Sequence, residues 1–584
     1  MLRNLPLRIT LSSALIFNLA ASPAMLNGQQ APADVPSITI RSNTRLVTVD
    51  VVVTDKKGQP VPGLKPENFT LEENGKKQKI SIFVPPGIAN HTSSTPLPPG
   101  VISNHPENVG PAGVPTVLLL DATNSPFSNQ AYARSQMLKY VLDQGQSGHT
   151  MAVFTLSDQL HVLQQFTSDP QVLMTAIRKF RPVEQILQSA APPPESHAMV
   201  SGPATAASGA AIGSAGLAIQ QFADLQVGFN LERRTLITLD AMKALSRILG
   251  GLPGRKNVVW LTASLPFDLI PEDRNMSEAE LLAELPGQGA QRSVSVNAAG
   301  SLAAEARHLH AQEIKDAEAQ LASADIAIYP VDLTGLMSGM EGSAASQGSV
   351  YSDTAISGRA LATLSNQQSN QATMEEVALQ TGGRAYKNQN EIMDGITLAT
   401  SDDKASYSLG YYPENKKWDG KFRSLKVKVD QSDTHLRYRK GFFAVEAGPT
   451  KNTNYDQDVA AALGIGAPAT QVWFMAQAKP TDPGKVRVVF LVDAHTLSAE
   501  DSGGSKKMNV SLYASLYDAN GRNLGTGGTK IDQAFDAATY QKILDQGMKV
   551  PIEMNFPAGA KEVRAAVLDG KTGFIGTASG PIAQ

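Results

Sequence analysis

The sequence predicts an α/β protein in which a doubly wound, mostly parallel sheet is flanked by all-β modules. Between residues 114 and 445, short apolar runs alternate with stretches of helical periodicity, which is typical of a parallel sheet with crossover helices. The run Val117–Leu120 has no polar alternation, as expected of a strand that is buried on both faces. The flanking regions alternate apolar and polar residues instead, which predicts half-buried antiparallel strands.

The composition indicates a globular protein and argues against several kinds of function. The 584 residues are enough for three or four domains, and apolar and charged shares of 42% and 18% are typical of globular chains. A net charge of −3 without a basic cluster argues against a nucleic-acid partner. The chain has no cysteine, which excludes disulfides, a thiolate nucleophile and a cysteine zinc site.

The first residues have the pattern of a secretory signal peptide. Arg3 and Arg8 precede an apolar run from Ile9 to about Ala21, and small residues suited to cleavage follow, so we expect a signal peptide over residues 1–24. No later segment reaches about 18 uninterrupted apolar residues, so no transmembrane anchor is predicted. The protein is therefore expected to be exported, either to the periplasm or out of the cell.

Changes in composition divide the rest of the chain. Segments rich in Gly, Pro, Ser and Ala predict linkers and mobile insertions. The predicted parts are an N-terminal β module (37–84), a linker (85–113), the α/β domain (114–445) with mobile insertions near 183–228 and 337–370, a second linker (446–468) and a C-terminal β-sandwich-like domain (469–584). We also expect five apolar residues to be buried in neighbouring strands of one sheet: Leu118, Leu119, Val153, Val259 and Ile328.

A candidate site follows the first strand of the α/β domain. The run Val117–Leu120 ends at Asp121, and ligands of open α/β sheets bind beyond the carboxyl ends of the strands. Asp121, Thr123 and Ser125 are hard oxygen donors, the ligands that Mg²⁺ and Ca²⁺ prefer. The alternative is that these side chains only cap the following helix, predicted from about Ala131 to Leu142.

Motifs of enzymatic chemistry are incomplete. Ala565 stands where the first glycine of a phosphate loop would precede Gly570-Lys571-Thr572, and no Gly-x-Ser-x-Gly elbow occurs. His308 and His310 are two residues apart in a predicted helix and therefore point to different faces. Because no nucleophile, base and orienting group can be assembled, the sequence favours a non-enzymatic protein.

Three further motifs carry a family resemblance. They are Leu-Pro-Gly-Arg-Lys-Asn at 252–257, Tyr-Ser-Leu-Gly-Tyr-Tyr-Pro at 407–413 and Arg-Tyr-Arg-Lys-Gly-Phe at 437–442. With the Asp-x-Thr-x-Ser strand end, the chain resembles the VWFA-related family of secreted acidobacterial proteins over roughly residues 37–445. The resemblance implies a von Willebrand factor A-type fold, which commonly binds protein ligands through a metal-ion-dependent adhesion site.

The resemblance also implies a ligand set. Asp121, Thr123 and Ser125 match the first motif of the adhesion site, and Thr235, at the start of the helix beyond the first insertion, matches its lone threonine, with Thr238 as the alternative. The final aspartate is absent, because Ala263 stands in its place. A single acid predicts weak binding of Mg²⁺, or of Mn²⁺ or Ca²⁺, unless Asp268 or Asp332 compensates.

These observations lead to one main hypothesis and two alternatives. The main hypothesis is an exported, non-enzymatic protein-binding or scaffold protein with a degenerate adhesion site, whose protein ligand is acidic and restores the lost charge. The alternatives are an exported metal-assisted hydrolase and a purely structural domain without metal.

Overall fold

A computed structural model of the chain describes residues 46–87, 97–110, 113–144, 149–183, 206–266, 310–335, 367, 370–388, 392–446, 454–481 and 484–582. The predicted signal peptide lies outside these residues. So does most of the predicted insertion 337–370. All statements below refer to the described residues.

The chain forms twenty-two strands and nine α-helices in the described ranges. The strands are β1 Val47–Asp55, β2 Phe69–Glu73, β3 Lys76–Gln78, β4 Ile80–Val84, β5 Val101–Ser103, β6 Thr116–Asp121, β7 Met151–Leu156, β8 Leu160–Thr167, β9 Lys256–Thr262, β10 Ile326–Asp332, β11 Ser406–Tyr411, β12 Phe422–Val429, β13 Thr434–Arg437, β14 Gly441–Phe443, β15 Phe474–Pro480, β16 Lys485–Val492, β17 Glu500–Ser502, β18 Ser505–Tyr517, β19 Asn523–Phe535, β20 Met548–Asn555, β21 Glu562–Asp569 and β22 Ile575–Pro581. The helices are α1 Pro106–Val109, α2 Phe127–Gln144, α3 Pro170–Lys179, α4 Ala206–Leu249, α5 Ala311–Ser323, α6 370–381, α7 Ile392–Ser401, α8 Tyr455–Gly464 and α9 Ala537–Gln546.

The α/β part is built on a mixed five-stranded sheet in the order β10-β9-β6-β7-β8. The first four strands run parallel, and β8 returns antiparallel to β7. Leu118, Leu119, Val153, Val259 and Ile328 are at most 1% exposed in four adjacent strands, so that prediction is confirmed. Every residue of β6 is buried, which explains why its sequence lacks polar alternation.

Helices cover both faces of this sheet. One core joins Val117 and Leu119 to α4, α5 and α6, whereas a second core joins Leu118 and Leu120 to α2, α3 and α7. Successive strand residues point to opposite faces, so the two cores lie on opposite sides. The fold is therefore a mixed α/β fold, and it is accompanied by several antiparallel sheets.

Strands from both flanks of the α/β part form one sandwich. Its two antiparallel sheets have the orders β13-β1-β11-β4 and β14-β12-β2-β3, and they enclose a common core. Val49 pairs with Leu409, and Leu71 with Val427, in these sheets. The structure thus divides the chain differently from the predicted module 37–84, because four short strands alone cannot bury their apolar face.

The C-terminal unit also takes a strand from far away in the sequence. Its two sheets, β20-β16-β15-β5 and β17-β18-β21-β22 with β19 on the other side of β18, enclose one core. Strand β5 comes from the predicted linker 85–113 and pairs with β15. The adjacent Asn104 donates to the carbonyls of Ala469 and Val472, both at 2.7 Å. The predicted linker 446–468 contains helix α8.

Helix α4 differs most from the sequence-based expectation. A mobile insertion was expected over 183–228 with a helix from Thr235, but α4 already begins at Ala206 and spans 44 residues. Alanine is the strongest helix former, and its abundance in this segment explains the early start. Residues 184–205 lie outside the described part. Despite the length of α4, no described helix is both long and apolar enough to cross a membrane.

Candidate functional site at the carboxyl edge of the sheet

Asp121 is the centre of the candidate site. It is the last residue of β6 and is fully buried. Its Oδ1 accepts a hydrogen bond from the backbone N–H of Asn124 at 2.9 Å. Its Oδ2 accepts three more, from Asn124 Nδ2 and Trp260 Nε1 at 2.9 Å and from Thr262 Oγ1 at 3.0 Å. Burial raises the pKa of the carboxyl group, and these donors oppose the rise.

The turn that follows β6 is organised by Asp121 and is not a helix cap. Asp121 binds the N–H of Asn124, whereas α2 begins only at Phe127. An aspartate that binds the backbone a few residues later stabilises a turn. The capping alternative therefore does not describe this carboxylate.

Asn124 connects Asp121 to helix α4. Its amide nitrogen donates to Asp121 and also to Thr238 Oγ1 at 3.1 Å. Its Oδ1 accepts from Arg234 Nε at 2.9 Å. Asn124 lies inside the Asp-x-Thr-x-Ser motif, but it was not among the predicted site residues.

Arg234 joins this turn to the loop after β9. Besides its bond to Asn124, its Nη2 donates to Ser264 Oγ at 3.0 Å. Burial lowers the pKa of the guanidinium, and the charge of Asp121 opposes that effect. Arg234 was not among the predicted site residues either. It directly precedes the predicted Thr235 and lies one helical turn before Thr238.

The three predicted hydroxyl ligands lie around the same edge and are engaged with the protein. Thr123 donates to the carbonyl of Ser157, and Ser125 accepts from the N–H of Ala263 at 3.0 Å. Thr235 donates to the Leu231 carbonyl of its own helix at 2.9 Å. Thr235 lies deep inside α4 and not at a helix start as expected, because the helix begins 29 residues earlier, at Ala206. The role of these residues as metal ligands stays a prediction.

The proposed compensating acids do not join this network in the described residues. Asp332 accepts from the N–H and Oγ1 of Thr334 and from Gln371 Nε2, at the end of β10. Asp268 lies outside the described part. Among the described residues, no group of three or more His, Cys, Asp or Glu is placed to hold a metal ion.

The donor set does not suit a divalent cation. Asp121 is the single carboxylate among the described residues of this network, and its Oδ2 already accepts three protein donors. Mg²⁺ and Ca²⁺ sites need several oxygen ligands, usually with more than one negative charge. A guanidinium already lies in the same network, and a second cation beside it would be repelled.

Residues of the three further motifs that carry the family resemblance meet at the opposite, amino edge of the sheet. Arg255 is buried and donates from Nη2 to Tyr329 Oη at 2.9 Å and to the Gly382 carbonyl at 2.7 Å. Its Nη1 lies 3.9 Å from Asp50 Oδ2, in strand β1 of the sandwich. Asp50 in turn accepts from Ser408 of the Tyr-Ser-Leu-Gly-Tyr-Tyr-Pro motif. Three separate segments therefore meet in one buried charged junction.

Two further arginines complete this amino-edge junction. Arg437 pairs with Asp402, and Arg439 donates to the carbonyls of Ala322 and Thr48. A cavity of about 10 Å³ lies between the sandwich and the α/β part. It is lined mainly by polar residues, namely Thr48, Asp50, Arg255, Asp325, Thr381 and Arg439, and it has room for about one water molecule.

The C-terminal unit attaches near the same edge, where α4 ends. The N–H of Gly251 donates to Thr470 Oγ1 at 2.9 Å, and Thr470 donates to the Ile248 carbonyl at 2.7 Å. Arg247 forms an ion pair with Asp458 at 2.5 Å. The chain approaches so closely that a Cβ on Gly251 would lie 1.7 Å from the Thr470 carbonyl oxygen.

Comparisons with known proteins do not assign the chain to a family. No family model and no curated protein matches the chain. Among solved structures, an aerotolerance-related membrane protein from Bacteroides fragilis aligns with 50% of this chain and 100% of its own at 12% identity, with a TM-score of 0.21.

Two further structures align more weakly or at lower identity. An endonuclease/exonuclease/phosphatase from Beutenbergia cavernae aligns with 31% of this chain and 38% of its own at 12% identity and a TM-score of 0.12. The three N-terminal domains of the type V pili tip protein Mfa5 from Porphyromonas gingivalis align with 75% of both chains at 9% identity and a TM-score of 0.21. At these scores, none of the three bears on the function of this chain.

Proposed function

We propose that this chain is an exported, non-enzymatic protein-binding or scaffold protein. In this proposal, the α/β part is a doubly wound, von Willebrand factor A-like domain that contacts a protein partner through the carboxyl edge of its sheet. The observation that carries the proposal is the attachment of both β units near the amino edge, through Arg255 and Asp50 on one side and Gly251 and Thr470 on the other.

Among the described residues, the attachments of both β units lie near the amino edge and not at the opposite edge. Strands β9 and β10 have seven residues each, so their two ends are about 20 Å apart. Loops beyond the carboxyl ends of such strands are where α/β sheets bind their ligands.

The chemistry of the edge supports binding more than catalysis. The carboxylate of Asp121 is buried and accepts four hydrogen bonds, which makes it a poor nucleophile and a poor base. The hydroxyls of Thr123 and Thr235 donate to backbone carbonyls.

A pair of substitutions on helix α2 tests this proposal. Phe127 begins the helix beside the candidate site and is 51% exposed, whereas Leu142 lies near its other end and is 63% exposed. We expect the mature chain to capture a protein partner from the envelope fraction of its producing organism. Phe127→Ala should reduce this capture at least several-fold, and Leu142→Ala should leave it unchanged.

Two results would contradict the proposal. Equal loss of capture in both variants would place the contact elsewhere, and the absence of any partner would favour the purely structural alternative. Circular dichroism of both variants shows whether they are folded, so a binding defect can be separated from unfolding.

A further inference from the structure

Arg234 holds together three elements that meet at the carboxyl edge. It projects from α4, donates to Asn124 in the turn after β6, and donates to Ser264 in the loop after β9. Ser264 Oγ also donates to the carbonyl of Asn124 at 3.2 Å. A bound cation at such a site would have the same effect, because it would draw oxygen atoms of several loops towards one point.

We infer that the guanidinium of Arg234 takes the structural place of a metal ion, so that this edge is organised without a bound cation. The inference concerns the isolated chain. It holds whether or not the partner proposed above exists.

The balance of charge supports this inference. Asp121 is buried, and a buried charge is costly unless an opposite charge or hydrogen bonds compensate it. Arg234 supplies one positive charge against the one negative charge of Asp121. A divalent ion in addition to the guanidinium would leave an excess of two positive charges, which a site with one acid does not stabilise.

The residue at position 263 is consistent with this balance of one positive and one negative charge. Ala263 contributes no charge, and its N–H donates to Ser125 Oγ at 3.0 Å. An aspartate at this position would add a second negative charge, which a single guanidinium does not neutralise. The absence of the second acid and the presence of Arg234 are therefore two parts of one arrangement.

Thermal unfolding of the purified chain tests the inference. We expect the same transition midpoint in millimolar Mg²⁺, in millimolar Mn²⁺ and in EDTA. Arg234→Gln should lower the midpoint by at least about 3 °C, since it removes the counter-charge of Asp121. The matched control is Arg233→Gln, on the exposed side of the same helix, which should change the midpoint by less than about 1 °C.

A double variant tests the substitution of metal by guanidinium directly. Arg234→Gln combined with Ala263→Asp removes the positive charge and adds an acid, so its midpoint should rise in Mg²⁺ and fall again in EDTA. If the glutamine variant does not fold, Arg234→Lys replaces it in the single-variant test, because lysine keeps the charge but cannot form the same forked contacts.

Three results would overturn the inference. The first is a wild-type midpoint that rises in Mg²⁺ and falls in EDTA, and the second is micromolar Mg²⁺ binding to the wild type by calorimetry. The third is an Arg234 variant that behaves like Arg233→Gln. Each is measured without a partner, so failure here is distinguishable from failure to capture a protein.

Discussion

The two edges of the central sheet have opposite chemistry. The amino edge contains buried charges from distant segments, with Arg255, Asp50 and Asp402 among them. At the carboxyl edge, the described network around Asp121 contains one acid and one guanidinium, connected by neutral amides and hydroxyls. Among the described residues, the first edge joins the α/β part to both β units, whereas the contacts of the second edge lie within the α/β part itself.

This difference between the two edges changes how the three distinctive sequence motifs are interpreted. The segments around Arg255, Ser408 and Arg437 are the most distinctive in the chain, and distinctive motifs are commonly attributed to ligand binding. In this structure Arg255 and Ser408 both contact Asp50, and Arg437 pairs with Asp402, at the junction between the sandwich and the α/β part. Their role is therefore assembly, since buried ion pairs demand specific partners.

The largest effect is expected from Arg255→Met. The variant leaves Asp50 buried without its guanidinium neighbour, and breaking a buried pair in this way costs about 3–5 kcal/mol. The measurement is the free energy of unfolding in urea. Arg522→Met is the control, because Arg522 lies in an exposed ion pair whose loss costs at most about 1 kcal/mol. A loss of the same small size in both variants would contradict a special role of the amino edge.

Gly251→Ala should have the next largest effect. The new methyl group would lie 1.7 Å from the Thr470 carbonyl oxygen, so the C-terminal unit must shift, at a cost of about 3 kcal/mol. Limited proteolysis between the units should become faster. Gly464→Ala is the matched control, since its added Cβ meets no atom within 4 Å and alanine favours the helix. Unchanged proteolysis of the Gly251 variant would show that the contact is adaptable.

Asn124→Ala measures the strength of the carboxyl edge. The substitution removes one donor from Asp121 and the acceptor of Arg234 Nε, and we expect a loss of about 2 kcal/mol in urea unfolding. Asn520→Ala, in an exposed turn, should cost less than about 0.5 kcal/mol. A larger effect for Asn124 than for Arg255 would reverse the proposed order of the two edges.

The last expected effect is a dependence of stability on pH that belongs to the amino edge. Burial raises the pKa of Asp403 to about 7 and that of Asp325 to about 6. Because these values are higher than in the unfolded chain, their contribution to stability is full at low pH and is lost as the pH rises through about 6 to 7. We expect the free energy of unfolding, measured in urea at each pH, to fall from pH 5 to pH 8.

Asp403→Asn separates this contribution from other groups. The pKa of Asp121 is also raised and that of Glu318 is raised to about 8, so the wild-type profile contains terms of the same sign. The amide of the variant can still accept the hydrogen bond from Asn257 Nδ2, but it does not titrate. Its profile should be flatter than that of the wild type between pH 5 and pH 8, and identical slopes would exclude Asp403 as a source.

The sequence predicted the local features of the fold well and the remote ones poorly. The buried strands around Leu119 and Val259 follow from apolar runs without alternation, and the structure has them in adjacent strands. The pairing of Val49 with Leu409 is invisible to such patterns, since alternation shows that a strand has a buried face but not which strand covers it. This is why the two flanks were separated in the prediction.

The prediction of the candidate site shows the same contrast between local features, which were found, and remote partners, which were not. Asp121 was found because a polar residue ended an apolar strand. Its partners Trp260 and Arg234 were missed because an indole in a strand and an arginine in a helix normally indicate packing and solvation. Only the position of α4 against the strands determines that Arg234 points to Asn124.

The sandwich built from both flanks has a consequence for how the chain reaches its folded state. Asp50 and Ser408 are in contact although 358 residues separate them in the sequence. During synthesis from the N-terminus, β1 and β2 emerge long before β11 and β12. Their apolar faces therefore stay uncovered until these partner strands are made. Sequence-distant pairing slows folding. Completion of the sandwich is therefore a late step, and a chain that stops before residue 406 leaves Val49 and Leu71 uncovered and prone to aggregation.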